Sequence, residues 1–217
     1  ENANEVIRPW FIANDIEYIN SSSALIKRLY SVEDENKICR ALKTWNERNV
    51  YYRNDENSNA GVIYNMPGAF VDKWIKVFNL GDSVELEGTL EGLGLLLYLV
   101  RDGKKRLLAD EGYGITQLVS LLLQIDNSIR MVPEIKDNEV HYPEKVICVE
   151  EPEVHLHPKY QSLLADMFVE AYQKYNIHFI IETHSEYLIR KLQVMVADKE
   201  TSLAPDDVSL NYVEKDK

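Results

Sequence analysis

The sequence predicts an α/β protein with a largely parallel sheet flanked by helices, and three observations support this class. From residue 82 onward, short apolar runs alternate with longer amphipathic segments. The runs have the length of buried strands and the amphipathic segments the length of helices, an order that places helices on the faces of a parallel sheet. The composition suits a folded chain, because 45% of the 217 residues are hydrophobic and 28% are charged.

The first 80 residues differ from the rest and predict a mainly helical region. They contain all three Trp residues and several Asn-rich polar stretches. We predict one helix after Ser21–Ser23, with Leu25, Leu29 and Val32 on one face, a second near 36–47, and a third over 69–78 that closes at Asn79–Gly81. Residues 1–80 are therefore expected to form a helical insert or packing region, and residues 81–217 a second unit.

The second unit shows alternating strand and helix signals in chain order. Val84–Glu87 alternates like a half-buried strand, and the runs 95–100 and 106–108 flank Asp102-Gly103, a dipeptide typical of hairpin turns. Helices are predicted over 115–125, 158–175 and 185–197, and further strands over 146–149, 179–181 and 208–213.

Charge and cysteine content exclude several classes of protein. The net charge of -12 and a pI near 4.9 exclude a wholly basic nucleic-acid module. Cys39 and Cys148 are too few for a disulfide framework, and no C-x-x-C is present. The longest apolar stretch, 95–100, is far shorter than the roughly 18 residues of a membrane helix, and the start lacks a signal-peptide pattern, so we expect a cytoplasmic protein. The first residue is Glu1 rather than Met, which predicts a piece of something longer.

Two polar motifs directly follow predicted strands, where ligands bind in parallel sheets. Glu150-Glu151-Pro152-Glu153 follows the strand 146–149. A carboxylate there can hold Mg²⁺, and an adjacent one can orient or deprotonate a water for attack on a phosphoryl group. Thr183-His184-Ser185 follows the next strand, so the His can donate to a phosphate oxygen while the Ser caps a helix. On these residues alone, a solvated acidic turn and an exposed His remain open alternatives.

A third motif lies at the predicted start of the helix 115–125. Asp110-Glu111-Gly112-Tyr113-Gly114 leads into it, followed by Ile115-Thr116-Gln117. Backbone N–H groups at a helix N-terminus, together with the helix dipole, bind anions. Taken alone, this motif could equally be a simple strand-to-helix turn. Because it emerges from a different sheet element than Glu150 and His184, we expect that it does not reach the same phosphate as those residues within one subunit.

These motifs together resemble the C-terminal lobe of ABC-type P-loop ATPases. The segments that carry the resemblance are 146–158, with Glu-Glu-Pro-Glu-Val-His-Leu-His-Pro, and 179–185, with Glu-Thr-His-Ser. The most similar branch is the AAA-like group related to the OLD (overcoming lysogenization defect) proteins and the ATPases of prokaryotic defence systems. The resemblance extends over about residues 82–213, and residues 1–80 loosely fit the helical region that such ATPases insert between lobes.

The resemblance implies roles for residues in each motif. Glu150 stands at the Walker B acid that holds Mg²⁺, although many relatives have Asp there. Glu151 matches the catalytic glutamate, His184 the switch histidine, and 154–158 the D-loop at a dimer interface. Glycines and polar residues of the third motif resemble the signature that contacts ATP held by a second subunit, namely Gly112, Gly114, Thr116 and Gln117. The implied cofactors are ATP and Mg²⁺.

The sequence departs from this family in one respect. No Gly-x-x-x-x-Gly-Lys-[Ser/Thr] phosphate-binding loop occurs. Truncation explains this most simply, because the family carries that loop in an N-terminal lobe, and a degenerate pseudo-ATPase is the alternative. The resemblance implies an ATPase acting as a homodimer in anti-phage defence or DNA repair, with a nuclease partner or fused effector and DNA contact as further expectations.

Two other functions stay open from the sequence. One is an inactive ATPase-like interaction module. The other is an ATP-independent, metal-dependent nuclease or phosphatase that uses Glu150, Glu151 and the histidines, including His155 and His157. His141 and His178 are predicted to be surface residues, and Lys104-Lys105-Arg106 a solvated hairpin tip with a minor expectation of DNA contact.

Overall fold

The computed structural model describes residues 16–19, 27–31, 69–89, 93–129, 134–136, 139–198, 201 and 203–213. The strands within these ranges are β1 Ile16–Ile19, β2 Tyr30–Ser31, β3 Ser83–Thr89, β4 Gly94–Arg101, β5 Lys104–Leu107, β6 Glu134–Lys136, β7 Glu139–His141, β8 Lys145–Glu150 and β9 Ile177–Glu182. The α-helices are α1 Ala69–Val77, α2 Tyr113–Ile129, α3 Pro158–Tyr175 and α4 Glu186–Ala197.

A parallel sheet in the order β1-β8-β9 carries the predicted strand-end motifs. Ile19 pairs with Val149 on one side of β8, and Glu150 pairs with Glu182 on the other. The helix α3 connects β8 to β9 as a crossover between parallel neighbours. The predicted α/β class, with a parallel sheet flanked by helices, is therefore confirmed.

A second, antiparallel sheet accompanies the parallel one. Its central strand β4 pairs with β3 along one edge and with β2 and β5 along the other. The turn between β4 and β5 has positive φ at both Asp102 (51°) and Gly103 (68°), as a tight turn matching the strand twist requires. The predicted Asp-Gly hairpin is confirmed. The short strands β6 and β7 form a separate antiparallel pair.

The helix α2 forms the centre of the core. All its residues from 116 to 126 are buried, so it has no solvated face, unlike the amphipathic helix of a protein surface. The helix α1 packs beside it and contacts α3 through aromatic pairs, Phe70 with Tyr175 and Phe78 with Tyr160.

Helix ends near the strand-end motifs have specific caps. The Nδ1 of His157 accepts from the Lys159 N–H at the start of α3, where Pro158 takes the first position. At the other end, Asn176 adopts the left-handed conformation, with φ 54°. The Ser185 hydroxyl caps α4 by accepting from the Leu188 N–H at 3.1 Å. These boundaries agree closely with those predicted from the sequence.

Three sequence-based predictions are wrong within the described residues. The predicted helix containing Leu29 is not formed there, because 27–29 is irregular and Tyr30–Ser31 is a strand with Tyr30 fully buried. Residues 16–19, inside the predicted helical region, form β1 because they pair with β8. Residues 208–213 form no strand, and Leu210 and Tyr212 are largely exposed. The predicted helix over 36–47 lies outside the described residues.

The described helices include none that is both long and apolar enough to cross a membrane.

Candidate active site

The carboxyl ends of β8 and β9 bring two predicted catalytic residues together. The Nε2 of His184 lies 3.5 Å from the Oε1 of Glu151. Parallel pairing places Glu150 beside Glu182. Glu150 directly precedes Glu151, and Glu182 lies two residues before His184. The sequence-based expectation that the two motifs meet at one edge of the sheet agrees with this geometry.

Glu151 is held in a conformation that is uncommon for a residue with a side chain. Its φ is 43°, in the left-handed region. Such a conformation costs a non-glycine residue about 1–3 kcal/mol, so it persists only where the surrounding structure enforces it. Its N–H donates to the Glu182 carbonyl at 2.8 Å. Its carbonyl accepts from the Val154 N–H at 3.2 Å and from the Gln117 Nε2 at 3.3 Å. Three hydrogen bonds thus fix the backbone from which the carboxylate projects.

Glu150 has a neighbour that sequence reasoning missed. The hydroxyl of Tyr18, on β1, donates to the Glu150 Oε2 at 2.8 Å. This hydrogen bond is the main cause of a raised Tyr18 pKa, followed by burial and by the charges of Glu150 and Glu182. The segment 16–19 reads Ile-Glu-Tyr-Ile, and four residues are too few for their pattern to distinguish a strand from a helix.

The start of α2 lies against the turn that follows β8. A Cβ placed on Gly114 would stand 2.5 Å from the His155 carbonyl oxygen. The Gly112 carbonyl accepts from the N–H groups of Ile115 and Thr116, which closes the first turn of the helix. The helix start therefore packs on the turn that carries Glu151, and its contact with a nucleotide held by a second subunit stays a prediction.

Of the predicted signature residues, Thr116 and Gln117 have buried side chains. The Thr116 Oγ1 donates to the Tyr113 carbonyl at 2.7 Å, and Gln117 contacts Glu151. Thr116 thus closes the first turn of α2, and Gln117 joins α2 to the turn after β8. Gly112 and Tyr113 are exposed. Nucleotide contact by Gly112, Gly114, Thr116 and Gln117 stays a prediction.

A second residue missed from the sequence, Glu153, joins the two turns. Only 7% of its surface is exposed. Its Oε1 accepts from the His184 N–H at 2.6 Å, while its Oε2 is buried without a hydrogen-bond partner among the described residues. Buried carboxylates are rare enough to mark a site, but burial of an acid within a polar tetrapeptide has no reliable sequence signal.

The histidines of the alternative metal site do not converge. The His155 ring packs edge-on against Tyr113, with centroids 4.7 Å apart, and His157 caps α3. In the described part of the chain, no group of three or more His, Cys, Asp or Glu residues could hold a metal ion. His178, predicted as a surface residue, is instead half-buried, with its Nε2 3.3 Å from Glu144 and its ring against Tyr172.

The donors at the strand ends fit Mg²⁺ bound together with a nucleotide. Mg²⁺ prefers oxygen ligands and is usually held by one or two carboxylates plus phosphate oxygens and water. Glu150 and Glu151 supply such oxygens, with Glu150 oriented by Tyr18. The phosphate-binding loop Gly-x-x-x-x-Gly-Lys-[Ser/Thr], whose lysine contacts the nucleotide phosphates, does not occur in the sequence.

The middle residue of the basic cluster 104–106 forms ion pairs with acidic side chains. The Lys105 Nζ lies 2.8 Å from the Glu85 carboxylate and 3.7 Å from that of Glu87. The hydrogen bond to Glu85 is the main cause of a raised Lys105 pKa. The hairpin tip is exposed as predicted, but its middle cation is paired on the sheet.

The architecture is an α/β domain with acidic and histidine residues at the carboxyl ends of parallel strands. A family model described as the AAA ATPase domain matches residues 1–189, and the chain belongs to this family. No curated protein matches the sequence significantly. One similar solved structure comes from work on ATP-driven dimerization and DNA-stimulated activation of SMC ATPases. It shares 15% identity, covers 66% of this chain and 77% of its own, and has a TM-score of 0.41, too low to support a functional argument.

Proposed function

We propose that this chain is the C-terminal lobe of an ABC-type, OLD-like ATPase that hydrolyses Mg-ATP between two subunits. Membership of the AAA ATPase domain family supports the reaction class. The observation that carries the proposal is the 3.5 Å approach of His184 to Glu151, with Glu150 one residue away at the end of the same strand. The phosphate-binding loop would come from a lobe outside these 217 residues.

Each strand-end residue has a role that its chemistry permits. Glu150 holds Mg²⁺, which when bound neutralises phosphate charge. Glu151 accepts a proton from, or orients, the attacking water, and its carboxylate is positioned for this by a fixed backbone. His184 donates to the terminal phosphate from the neighbouring turn. Its side chain is 80% exposed, which leaves room for a nucleotide above the sheet edge.

A second subunit would complete the site. The exposed Gly112 and Tyr113 stand at the N-terminus of a 17-residue helix, where backbone N–H groups and the helix dipole favour a phosphate. We propose that this end of α2 contacts the nucleotide held by the partner. The work performed by hydrolysis would be a nucleic-acid process such as anti-phage defence or DNA repair, with a nuclease as partner or fused effector.

The test compares Glu151→Gln with a matched exposed acid in the full-length ATPase. Glu151→Gln removes the basic oxygen and keeps the shape, so turnover should fall by about 10²–10⁴-fold while ATP still binds. The control is Glu186, an exposed acid on the first turn of α4 that pairs with Arg190. Glu186→Gln should leave turnover unchanged. Near-normal turnover by the Glu151→Gln protein would refute the assignment.

The 217-residue chain alone provides a further check. Without the phosphate-binding loop it should bind Mg-ATP weakly and turn over none, as isothermal titration and phosphate release would measure. Micromolar binding with steady turnover would show that the loop is dispensable, and would remove the argument for a separate N-terminal lobe.

A further inference from the structure

We infer that Glu153 is a positioning residue that locks the turn after β8 to the turn after β9, and so sets the distance between Glu151 and His184. The inference rests on the proposed ATPase function. It concerns a residue that neither binds the nucleotide nor touches the reacting atoms. The evidence is the hydrogen bonding of the two turns.

The first step concerns His184, whose imidazole has little to hold it. With 80% of its side chain exposed, its position depends on its backbone rather than on packing. That backbone is anchored by Glu153, whose Oε1 accepts from the His184 N–H at 2.6 Å. A charge-assisted hydrogen bond of this kind is roughly twice as strong as a neutral one.

The second step concerns Glu151, two residues before Glu153 in the same turn. The turn is rigid, because the Val154 N–H donates to the Glu151 carbonyl and the Leu156 N–H to the Glu153 carbonyl. A rigid turn that carries Glu151 at one point and holds His184 at another fixes the two functional groups relative to each other.

A second connection joins the same turns nearby. The Gln161 Nε2 donates to the Leu156 carbonyl at 2.9 Å, and its Oε1 accepts from the Ser185 hydroxyl at 2.6 Å. The bond from Glu153 reaches His184, and that from Gln161 reaches the next residue. Removing Glu153 should therefore loosen His184 without detaching α4.

The burial of Glu153 argues that the lock has a function beyond stability. Its Oε2 is buried without a hydrogen-bond partner among the described residues. A buried polar atom without a hydrogen-bond partner disfavours the folded state. The unpartnered oxygen is thus a cost that an apolar side chain would not carry, and the benefit of a glutamate lies in the bond of its other oxygen to the His184 N–H.

The first measurement is hydrogen exchange at the His184 amide, which does not depend on ATP turnover. Glu153→Ala should accelerate exchange of this amide by about tenfold, as expected for losing one hydrogen bond. Glu153→Gln retains an acceptor oxygen and should restore most of the protection. Glu186→Ala, two residues beyond His184, is the matched control and should leave it unchanged. Unchanged protection in the Glu153→Ala protein would overturn the inference.

The second measurement is the kinetics of the full-length ATPase. Glu153→Ala should lower kcat by about 10–100-fold, the scale for a displaced catalytic group, with a small change in KM. Glu153→Gln should recover most of the loss. Equal kcat in all variants, or an equal loss in both Glu153 variants, would contradict the positioning role. If Glu153→Ala does not fold, the Glu153→Gln and Glu153→Asp pair takes its place, with Asp expected to be impaired because its carboxylate is too short to reach.

The two measurements separate this inference from the proposed function. A full-length wild-type protein without ATP turnover would refute the ATPase proposal, and the exchange of the His184 amide would still decide whether Glu153 locks the turns. Turnover that depends on Glu151 but not on Glu153 would retain the ATPase and remove the positioning role.

Discussion

Gly114 and the carbonyl oxygen of His155 lie so close that a Cβ on the glycine would stand 2.5 Å from that oxygen. The contact joins the start of α2 to the turn that carries Glu151 and Glu153. The two atoms nearest to that Cβ are the carbonyl oxygen and carbon of His155. They belong to the backbone, so they cannot move aside as a flexible side chain would. This contact explains why a glycine is required there on steric grounds.

We predict that Gly114→Ala lowers the free energy of unfolding by about 1–3 kcal/mol, because the added methyl must displace backbone. Gly112→Ala is the matched control. A Cβ on Gly112 meets no atom within 4 Å, so its effect should stay within about 0.5 kcal/mol. Urea denaturation of both variants measures the difference. Equal stabilities would show that the turn and the helix can separate without cost.

The pKa of Tyr18 provides a probe of Glu150. Since the hydrogen bond to Glu150 raises this pKa above 10.0, Glu150→Ala should lower it toward that value. Glu182→Ala removes a weaker charge effect and should lower it less. Alkaline titration of ¹³C-labelled tyrosine, assigned with Tyr18→Phe, measures all three proteins. An unchanged Tyr18 pKa in the Glu150→Ala protein would mean that the bond is not formed in solution.

The sign of the linked stability effect follows from the raised pKa. The folded chain holds the phenol proton more tightly than the unfolded chain. The contribution of Tyr18 is therefore fully present below about pH 10 and is lost as the pH rises through the higher, folded-state pKa. Tyr18→Phe should remove this alkaline dependence.

We predict that Gly112 acts on the nucleotide of the partner subunit. Gly112→Asp places a negative charge at the start of α2, where the space around the glycine accommodates it, and should inactivate the full-length enzyme by repelling phosphate. Glu151→Gln inactivates it separately. In a mixed dimer one site contains an intact Gly112 from one chain and an intact Glu151 from the other, so partial activity should return.

Mixed dimers must be verified independently, for example by differently tagged chains isolated together. If isolated mixed dimers remain inactive, the prediction is refuted that a single site with Gly112 from the partner subunit can hydrolyse ATP. Full activity of a strictly monomeric enzyme would refute the dimeric site itself.

The sequence predicts best those features that local chemistry determines. The Asp102-Gly103 turn, the boundaries of α3 and the meeting of Glu151 with His184 follow from turn residues, caps and the geometry of parallel strands. Each depends on residues close in sequence or on a general rule of sheets. Of these features, the meeting of Glu151 with His184 is the one that defines the candidate site.

Features that depend on distant partners could not be predicted in this way. β1 is a strand because β8 lies beside it, and Tyr18 reaches Glu150 across 132 positions of sequence. Residues 208–213 have the alternation of a strand but pair with no described strand, so the local pattern misled. Glu153 is buried because two turns meet over it, and its direct neighbours in the sequence, Pro152 and Val154, do not indicate that burial.

The enclosure of α2 has a consequence for how the chain assembles. A helix covered on all sides cannot be added to a finished structure, so the elements that cover it, α1 among them, must close around it during folding. We expect α2 to belong to the folding nucleus. Leu122→Ala, at a fully buried position, should then slow folding more than it speeds unfolding, giving a φ-value above about 0.5 in stopped-flow kinetics; a value near zero would mean that α2 consolidates late. The glycine-bearing end of α2 would thus be among the first parts of the molecule to take its final form.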